Sequence, residues 1–373
     1  MNPAQRILTA ALLAAFAACA VSCDARAQVR KDEEVVFFPT YTWYEAAAPA
    51  PRWVVDVHAW IFQPASESMK RRAALSLLRK GLGLEEGGAD ADRFEERAGW
   101  FIADSAEGRA LSVRFGDQTH ELGAEAGETG HLRSRLFGWK GKEGDLCGEL
   151  KLRPGWIRFE AVLGEGDARK FTGEALFLAE EGVSVVSDVD DTIKVSEVRD
   201  KRALIENTFL KEYQAVEGMG ELYRALAEKG AAFHYVSASP WQLYPPLRQF
   251  MDAKGYPAGT YHMRDFALGH SEFFELFKSP EKWKPPQIEP LLERFPKRRF
   301  LLVGDSGEKD PEIYGDIARK YPDRVAGIFI RNVTGETEAA ERFAKAFEGV
   351  PRERWALFTD PKDVRARVLE TAK

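Results

Sequence analysis

From about Gly182 onward the chain predicts a doubly wound parallel α/β sheet, preceded by a smaller, mostly-β, sandwich-like domain. Three observations carry this. Apolar runs at 183–187 (VSVVS), 231–237 (AAFHYVS), 299–303 (RFLLV) and 325–330 (VAGIFI) alternate with helical stretches near 218–229, 241–253, 286–295, 311–320 and 335–347. Upstream, WVVDVHAWIF at 53–62 is followed by RALSVRF, THELG, HLRSRLF, GELKLR, WIRFEAVL and KFTGEALFL at roughly ten-residue spacing, with Gly and charge between them. Three of the four proposed parallel strands end in polar, reactive residues, Asp188, Ser237 and Asp305, where ligands of such sheets bind.

In chain order, residues 1–27 read as an export segment. Arg6 precedes the uncharged run ILTAALLAAFAACAVS, which is too short to span a bilayer comfortably, and Ala25-Arg26-Ala27 offers a cleavage site before Gln28. A competing reading takes Ala20-Val21-Ser22-Cys23 as a lipoprotein signal with Cys23 acylated. Both predict an exported protein, in a bacterial periplasm or secreted. Cleavage after Ala27 leaves Cys147 as the single thiol, which excludes an internal disulfide and a Cys-rich metal site. Residues 28–50 read as a leader at the start of the β-rich domain, which runs over 28–178. Within it the spacing of Leu75, Leu78 and Leu82 predicts a helix over 66–83, and the acidic, Gly-rich stretch 84–95 predicts a loop. No catalytic constellation appears there. The second domain occupies 179–373. A length of 373 residues suits two domains after an export segment. The formal net charge of −6 becomes one unit more negative once Arg6, Arg26 and Asp24 are removed, which argues against nucleic acid as a partner.

The chemistry concentrates in two strings, SDVDDT (Asp188, Asp190, Thr192) and LLVGDSGEKD (Asp305, Asp310). Acids gathered at strand ends repel one another unless something positive lies between them; a magnesium ion with a phosphoryl group satisfies that arrangement. In an extended segment residues two apart point the same way, so Asp188 and Asp190 reach one site while Val189 points away. One carboxylate can attack phosphorus when a cation neutralises both partners. The other can protonate the leaving oxygen and later deprotonate water. Thr192 can hold the turn. A solvated Asp-rich turn or helix cap is the plain alternative. A calcium loop of the EF-hand type is excluded, because Ile193 and Arg199 stand where Gly and Glu are needed. The GDSG string also surrounds the serine of trypsin-like proteases, but those are all-β, and EKDPEIY here starts a helix. Glu308 breaks a G-x-S-x-G elbow, and no P-loop is present. Ser237 can donate to a phosphoryl oxygen or cap a helix. Lys278, Lys282 and Lys284 can each supply the balancing positive charge, and spacing does not choose among them. The six histidines show no H-x-H or H-E-x-x-H spacing, so zinc is not expected, and His234 reads as a structural strand residue.

The strings GVSVVSDVDDTIKVSEV, NTF at 207–209, GMGELYRAL, FHYVSASPWQLYPPL, RFLLVGDSGEKDPEIY and IFIRNV together resemble the haloacid dehalogenase superfamily. More narrowly, the stretch from Gly182 to Val333 resembles the catalytic domain of the actin-patch phosphatidate phosphatase family. The resemblance implies a haloacid dehalogenase-like fold and a magnesium-dependent phosphatase. It implies Asp188 as nucleophile, Asp190 as general acid/base, Ser237 as phosphate-holding hydroxyl and Lys284 as the third-motif lysine, although Trp283 stands where the family usually has His. It implies magnesium ligands at Asp188, Asp305 and the backbone carbonyl of Asp190, with Asp310 behind them or as a weaker ligand. The implied substrate is a phosphomonoester, phosphatidate in the family, yielding diacylglycerol. Soluble phosphomonoesters, or a non-catalytic lipid-binding role, are the alternatives; retention of both Asp188 and Asp190 speaks for an enzyme. Arg264, Asp265, Phe266, Phe273, Phe274, Phe277 and Trp283, and the basic stretch 70–80, can pack within the protein or touch a membrane surface.

Overall fold

The computed structural model describes residues 27–46, 48–49, 51–64, 76, 89–137, 155–266 and 280–372. Residues 1–26 of the export segment, with Cys23, nearly all of the 66–83 helix and the 70–80 stretch, the strand GELKLR, Cys147, Lys278, Phe273, Phe274 and Phe277 lie outside the described residues.

The first half forms a ten-stranded mixed sheet. Its strands are β1 (Ala27–Gln28), β2 (Glu34–Phe38), β3 (Thr40–Glu45), β4 (Arg52–Gln63), β5 (Asp104–Ser105), β6 (Arg109–Phe115), β7 (Gln118–Glu125), β8 (His131–Phe137), β9 (Trp156–Val162) and β10 (Thr172–Phe177). The twelve-residue β4 is the hub, pairing antiparallel with β2, β3, β5 and β8. Two expectations are corrected here. Residues 28–50 are not a leader: β2 and β3 lie within them and belong to the sheet. The charges at 30–34 surround a turn at 31–32, and beyond them Val35, Phe37, Phe38, Tyr41 and Trp43 are buried, so the segment is held by its apolar residues. The loop expected over 84–95 contains the start of helix α1 (Ala89–Gly99). Ala91, Phe94 and Ala98 recur there at helical spacing and are buried, and Asp90 and Asp92 sit in its first turn.

The second half is a six-stranded, all-parallel sheet flanked by helices. Its strands are β11 (Glu181–Ser187), β12 (Ala232–Pro240), β13 (Thr260–Arg264), β14 (Lys297–Asp305), β15 (Val325–Arg331) and β16 (Trp355–Phe358), in the order β13-β12-β11-β14-β15-β16. The helices are α2 (Lys201–Ile205), α3 (Met219–Glu228), α4 (Tyr244–Ala253), α5 (Lys284–Arg294), α6 (Asp310–Lys320), α7 (Glu341–Ala346) and α8 (Pro361–Thr371). The four expected strands and all five expected helices form, the last shortened to α7. Strands β13 and β16 and helices α2 and α8 are additional. The chain winds outward from β11 through β12 to β13, then returns to β14 on the other side of β11. The strand order therefore reverses at β11, the position where open parallel sheets bind ligands. Val185 and Val186 on β11 are fully buried, as expected for a strand covered on both faces.

The two sheets share their cores. Phe38, Trp60, Phe94 and Phe101 of the first half pack in one cluster with Phe209, Tyr235, Trp241 and Tyr244 of the second. Tyr41, Trp43 and Val54 pack with Val236, Ile288, Phe295 and Phe300. Among the described residues no helix is long and apolar enough to cross a membrane.

Candidate active site

Strand register brings the site together. Ser187 is level with Tyr235 on one neighbour and with Val303 on the other, so Asp188, Ser237 and Asp305 leave three adjacent strands within two residues of a common level. The Asp188 amide donates to the Val303 carbonyl at 2.9 Å, carrying the alignment one residue past the strand. Beyond it the chain turns sharply through Asp191, whose φ of 56° lies in the left-handed region. The Asp191 carboxylate accepts from the amides of Ser196, Glu197 and Val198 at 2.8, 2.9 and 2.8 Å, which satisfies the returning backbone.

Asp188 is 1% exposed. Its Oδ2 accepts from the Thr192 hydroxyl at 2.9 Å and its Oδ1 from Lys284 Nζ at 2.9 Å. Lys284 begins α5, where Pro285 and Pro286 suit the first turn, and it too is buried. It also reaches Asp310 Oδ1 at 2.5 Å and Glu308 Oε2 at 3.1 Å. Of the other two candidate lysines, Lys282 is exposed and Lys278 lies outside the described residues. Asp310, at the start of α6, sends Oδ2 back to the Asp305 amide at 3.2 Å. Gly304 makes that approach possible: a Cβ there would lie 2.3 Å from the same oxygen.

Carboxylate oxygens of Asp188, Asp305 and Asp310 lie within 4.8 Å of one another, all three buried. Asp305 Oδ1 accepts from the amides of Gly307 and Glu308, whereas its buried Oδ2 meets no donor among the described residues. Burial pushes Asp188 well above the usual carboxylate range; Lys284 draws it back while Asp310 and Glu308 push it further up. Asp305 is raised by burial and by the charges of Asp310 and Asp188, and Glu308 by burial first. Lys284 is held well above the ordinary lysine range, because the surrounding carboxylates outweigh the burial that would lower it. An unpartnered oxygen in a ring of mutually repelling carboxylates, with oxygen donors only, fits a hard divalent cation. Asp188 and Asp305 are the side chains that would hold it.

Asp190 lies apart from that trio. Its Oδ2 accepts from Ser237 at 3.1 Å and Ser239 at 3.0 Å; its Oδ1 accepts from Ser196 at 2.6 Å and pairs with Lys194 at 2.9 Å. Burial would raise its pKa, but Lys194 and the hydroxyls pull it down to about 2. The sequence reading thus named Asp188, Asp190, Thr192, Ser237, Lys284, Asp305 and Asp310, and the structure gathers all seven around one strand end. It missed Lys194, Ser196, Ser239 and Glu308. The only signal for Lys194 was its place four residues after Asp190, a spacing that lysines on solvated faces share. In sequence Glu308 shows itself only as the residue that breaks an elbow motif.

Residues 183–332 match the family described as phosphatidate phosphatase APP1, catalytic domain. The chain is 34% identical over 175 residues to phosphatidate phosphatase APP1 of Saccharomyces cerevisiae, covering 46% of this chain and 29% of that protein. It is 31% identical over 172 residues to an uncharacterized protein of Schizosaccharomyces pombe, covering 45% and 28%. The chain therefore spans less than a third of the length of these relatives. Among solved structures, the D,D-heptose 1,7-bisphosphate phosphatase of B. bronchiseptica, complexed with magnesium and phosphate, is similar at a TM-score of 0.31 and 12% identity, covering 51% of this chain and 99% of that one. A likeness that low carries no weight. The sequence match is different in kind: the stretch 183–332, which holds all seven site residues, belongs to the phosphatidate phosphatase APP1 catalytic-domain family.

Proposed function

We propose that this chain is a magnesium-dependent phosphoric monoester hydrolase that cleaves phosphatidate, or a related phospholipid monoester, to diacylglycerol and phosphate. The observation that supports it best is the buried Asp188 carboxylate, with Lys284 on one oxygen and Thr192 on the other, beside an Asp190 fixed by Ser237. Bound magnesium would supply the positive charge that lets an anionic nucleophile approach a phosphate dianion. An Asp188 oxygen then bonds to phosphorus as the ester P–O bond breaks, giving an aspartyl-phosphate. Asp190 delivers a proton to the departing oxygen, and afterwards takes one from the water that splits the aspartyl-phosphate. Asp190 is ionised before substrate arrives; the incoming negative charge raises its pKa and lets it take up the proton it must give. Lys284 and the Ser237 hydroxyl neutralise and orient the transferring group.

A cavity of about 630 Å³ adjoins Gly307 and Glu308 and favours a second reading, a soluble phosphomonoester. It is lined by Val198, Arg199, Lys309, Glu312, Thr334, Glu336 and Arg342, a wall too polar for acyl chains. Phe266 packs 5.9 Å from Phe101, and Trp283 packs on the core, so neither is a free lipid contact.

Phosphate release from phosphatidate in mixed micelles and from small phosphate esters, with and without chelator, tests both readings. Faster turnover of the small esters sinks the lipid assignment. Asp188→Asn is expected to lower turnover by about a thousandfold or more with the circular dichroism spectrum unchanged; retained magnesium-dependent turnover removes Asp188 from its role.

A further inference from the structure

Where β4 and β8 run side by side, His58 is level with Arg133 and Trp60 with His131. His58 and His131 are therefore diagonal neighbours on one face of the first sheet, a relation no linear spacing displays. Both are buried, and His58 Nε2 stands 2.9 Å from His131 Nδ1. Asp265, just past β13 of the second sheet, brings a carboxylate to the same point. One ligand atom from each of the three residues lies within 4.8 Å of the other two.

We propose that His58, His131 and Asp265 form a zinc site that ties the first sheet to the edge strand of the second. Two imidazole nitrogens and one carboxylate oxygen are the donors of a borderline transition metal; magnesium and calcium take oxygen alone. Burial holds both imidazoles neutral, the form that ligates. Zinc–nitrogen bonds of about 2.0–2.1 Å set tetrahedral N···N edges near 3.3 Å, so the pair need part by only about 0.4 Å. The hydrogen now shared between the rings moves to the other nitrogen of its own ring, and no proton has to leave. Arg133 donates to Asp265 Oδ1 at 2.6 Å. Both Arg133 and Asp265 are about half exposed, which gives an ion a way in and the guanidinium room to turn aside. A cavity of about 220 Å³ adjoins His58 and Arg133 and is lined also by Asp56, His262 and Thr260, so water can reach this part of the junction. Rings of Phe38 and Trp241 lie 4.6 Å from His58, and Trp60 stacks 6.0 Å from His131, so an apolar shell surrounds the donors.

The test uses the full chain, stripped with chelator and then held in excess magnesium so that the carboxylate trio does not compete. Cobalt(II) should give the visible absorption of a low-coordinate nitrogen-bearing site, zinc should displace it at one equivalent, and Asp188→Asn protein should bind the same ion. Asp265→Asn, a substitution at a half-exposed position, should weaken zinc by more than about tenfold, since even outer partners of a metal site are worth that much. His131→Gln, its fold checked by circular dichroism, should abolish the cobalt bands. Absent bands in the wild type, or zinc bound as tightly by Asp265→Asn, overturn the proposal and leave the two histidines as a buried hydrogen-bonded pair.

Discussion

Two residues show how tightly the site is drawn. At Gly304 the backbone passes so close to Asp310 that no side chain fits, and Asp310 in turn bears on Lys284. Gly304→Ala should therefore displace the Asp310 carboxylate, lower kcat at least tenfold and cost about 1–3 kcal/mol, measured by steady-state assay and urea unfolding. Lys194 makes a different point. Its charge is the largest influence pulling the buried Asp190 down from 3.8 to about 2. A carboxylate depressed on folding contributes stability that is fully present above about pH 4 and is lost as pH falls toward about 2. Here that contribution is on the order of 2 kcal/mol. Lys194→Met should erase most of the difference in unfolding free energy that Asp190 creates between pH 5 and pH 2.5; an unchanged difference would break the assignment. Asp190 was legible in the sequence because strand-then-DxDxT is a rare string. Lys194 was not, because whether a lysine is solvated or buried against an acid depends on what lies above it.

At the scale of elements, α1 of the first half braces a segment of the second. Arg97 donates to the carbonyls of Thr208 and Lys211 at 2.9 and 2.8 Å and lies 3.8 Å over the Tyr213 ring, while Lys194 Nζ lies 4.9 Å from the same ring. A helix from outside the catalytic stretch thus reaches Asp190 through three side chains. Arg97→Ala should cost about 3 kcal/mol, from two charged hydrogen bonds to backbone and the ring contact. It should also lower kcat more than KM rises, and Arg97→Lys should recover part of the stability. If kcat stays intact, α1 is only a covering helix. The acidic, Gly-rich lead-in hid α1 in the sequence. Its buried apolar residues are Ala91, Phe94 and Ala98, too small a stripe to outweigh the charges around it.

At the scale of the molecule, the two sheets read as separate domains in sequence yet bury their aromatic residues in common clusters. Phe38 sits at the junction, 4.1 Å from Trp241 and 5.1 Å from Tyr244. Shared cores imply shared cooperativity. Scanning calorimetry should record one unfolding transition, and Phe38→Ala should lower it as a whole, by about 3–5 kcal/mol. Two resolved transitions, one unaffected by the substitution, would show that the halves unfold independently.

The alternation of apolar runs with helical stretches, and the acids that end those runs, were local properties. They pointed to the parallel sheet, and to six of the seven residues gathered at its strand ends, without reference to anything distant. Lys284 came from the family resemblance and not from spacing, because three lysines shared one stretch; packing is what buries it against Asp188. Packing likewise decided β2 and β3, whose charged approach masked apolar residues that a strand partner buries, and the place of His58 beside His131. Pairing between strands far apart in sequence is set by register and by which faces dry together. Those are properties of the assembled chain, and no window of sequence contains them.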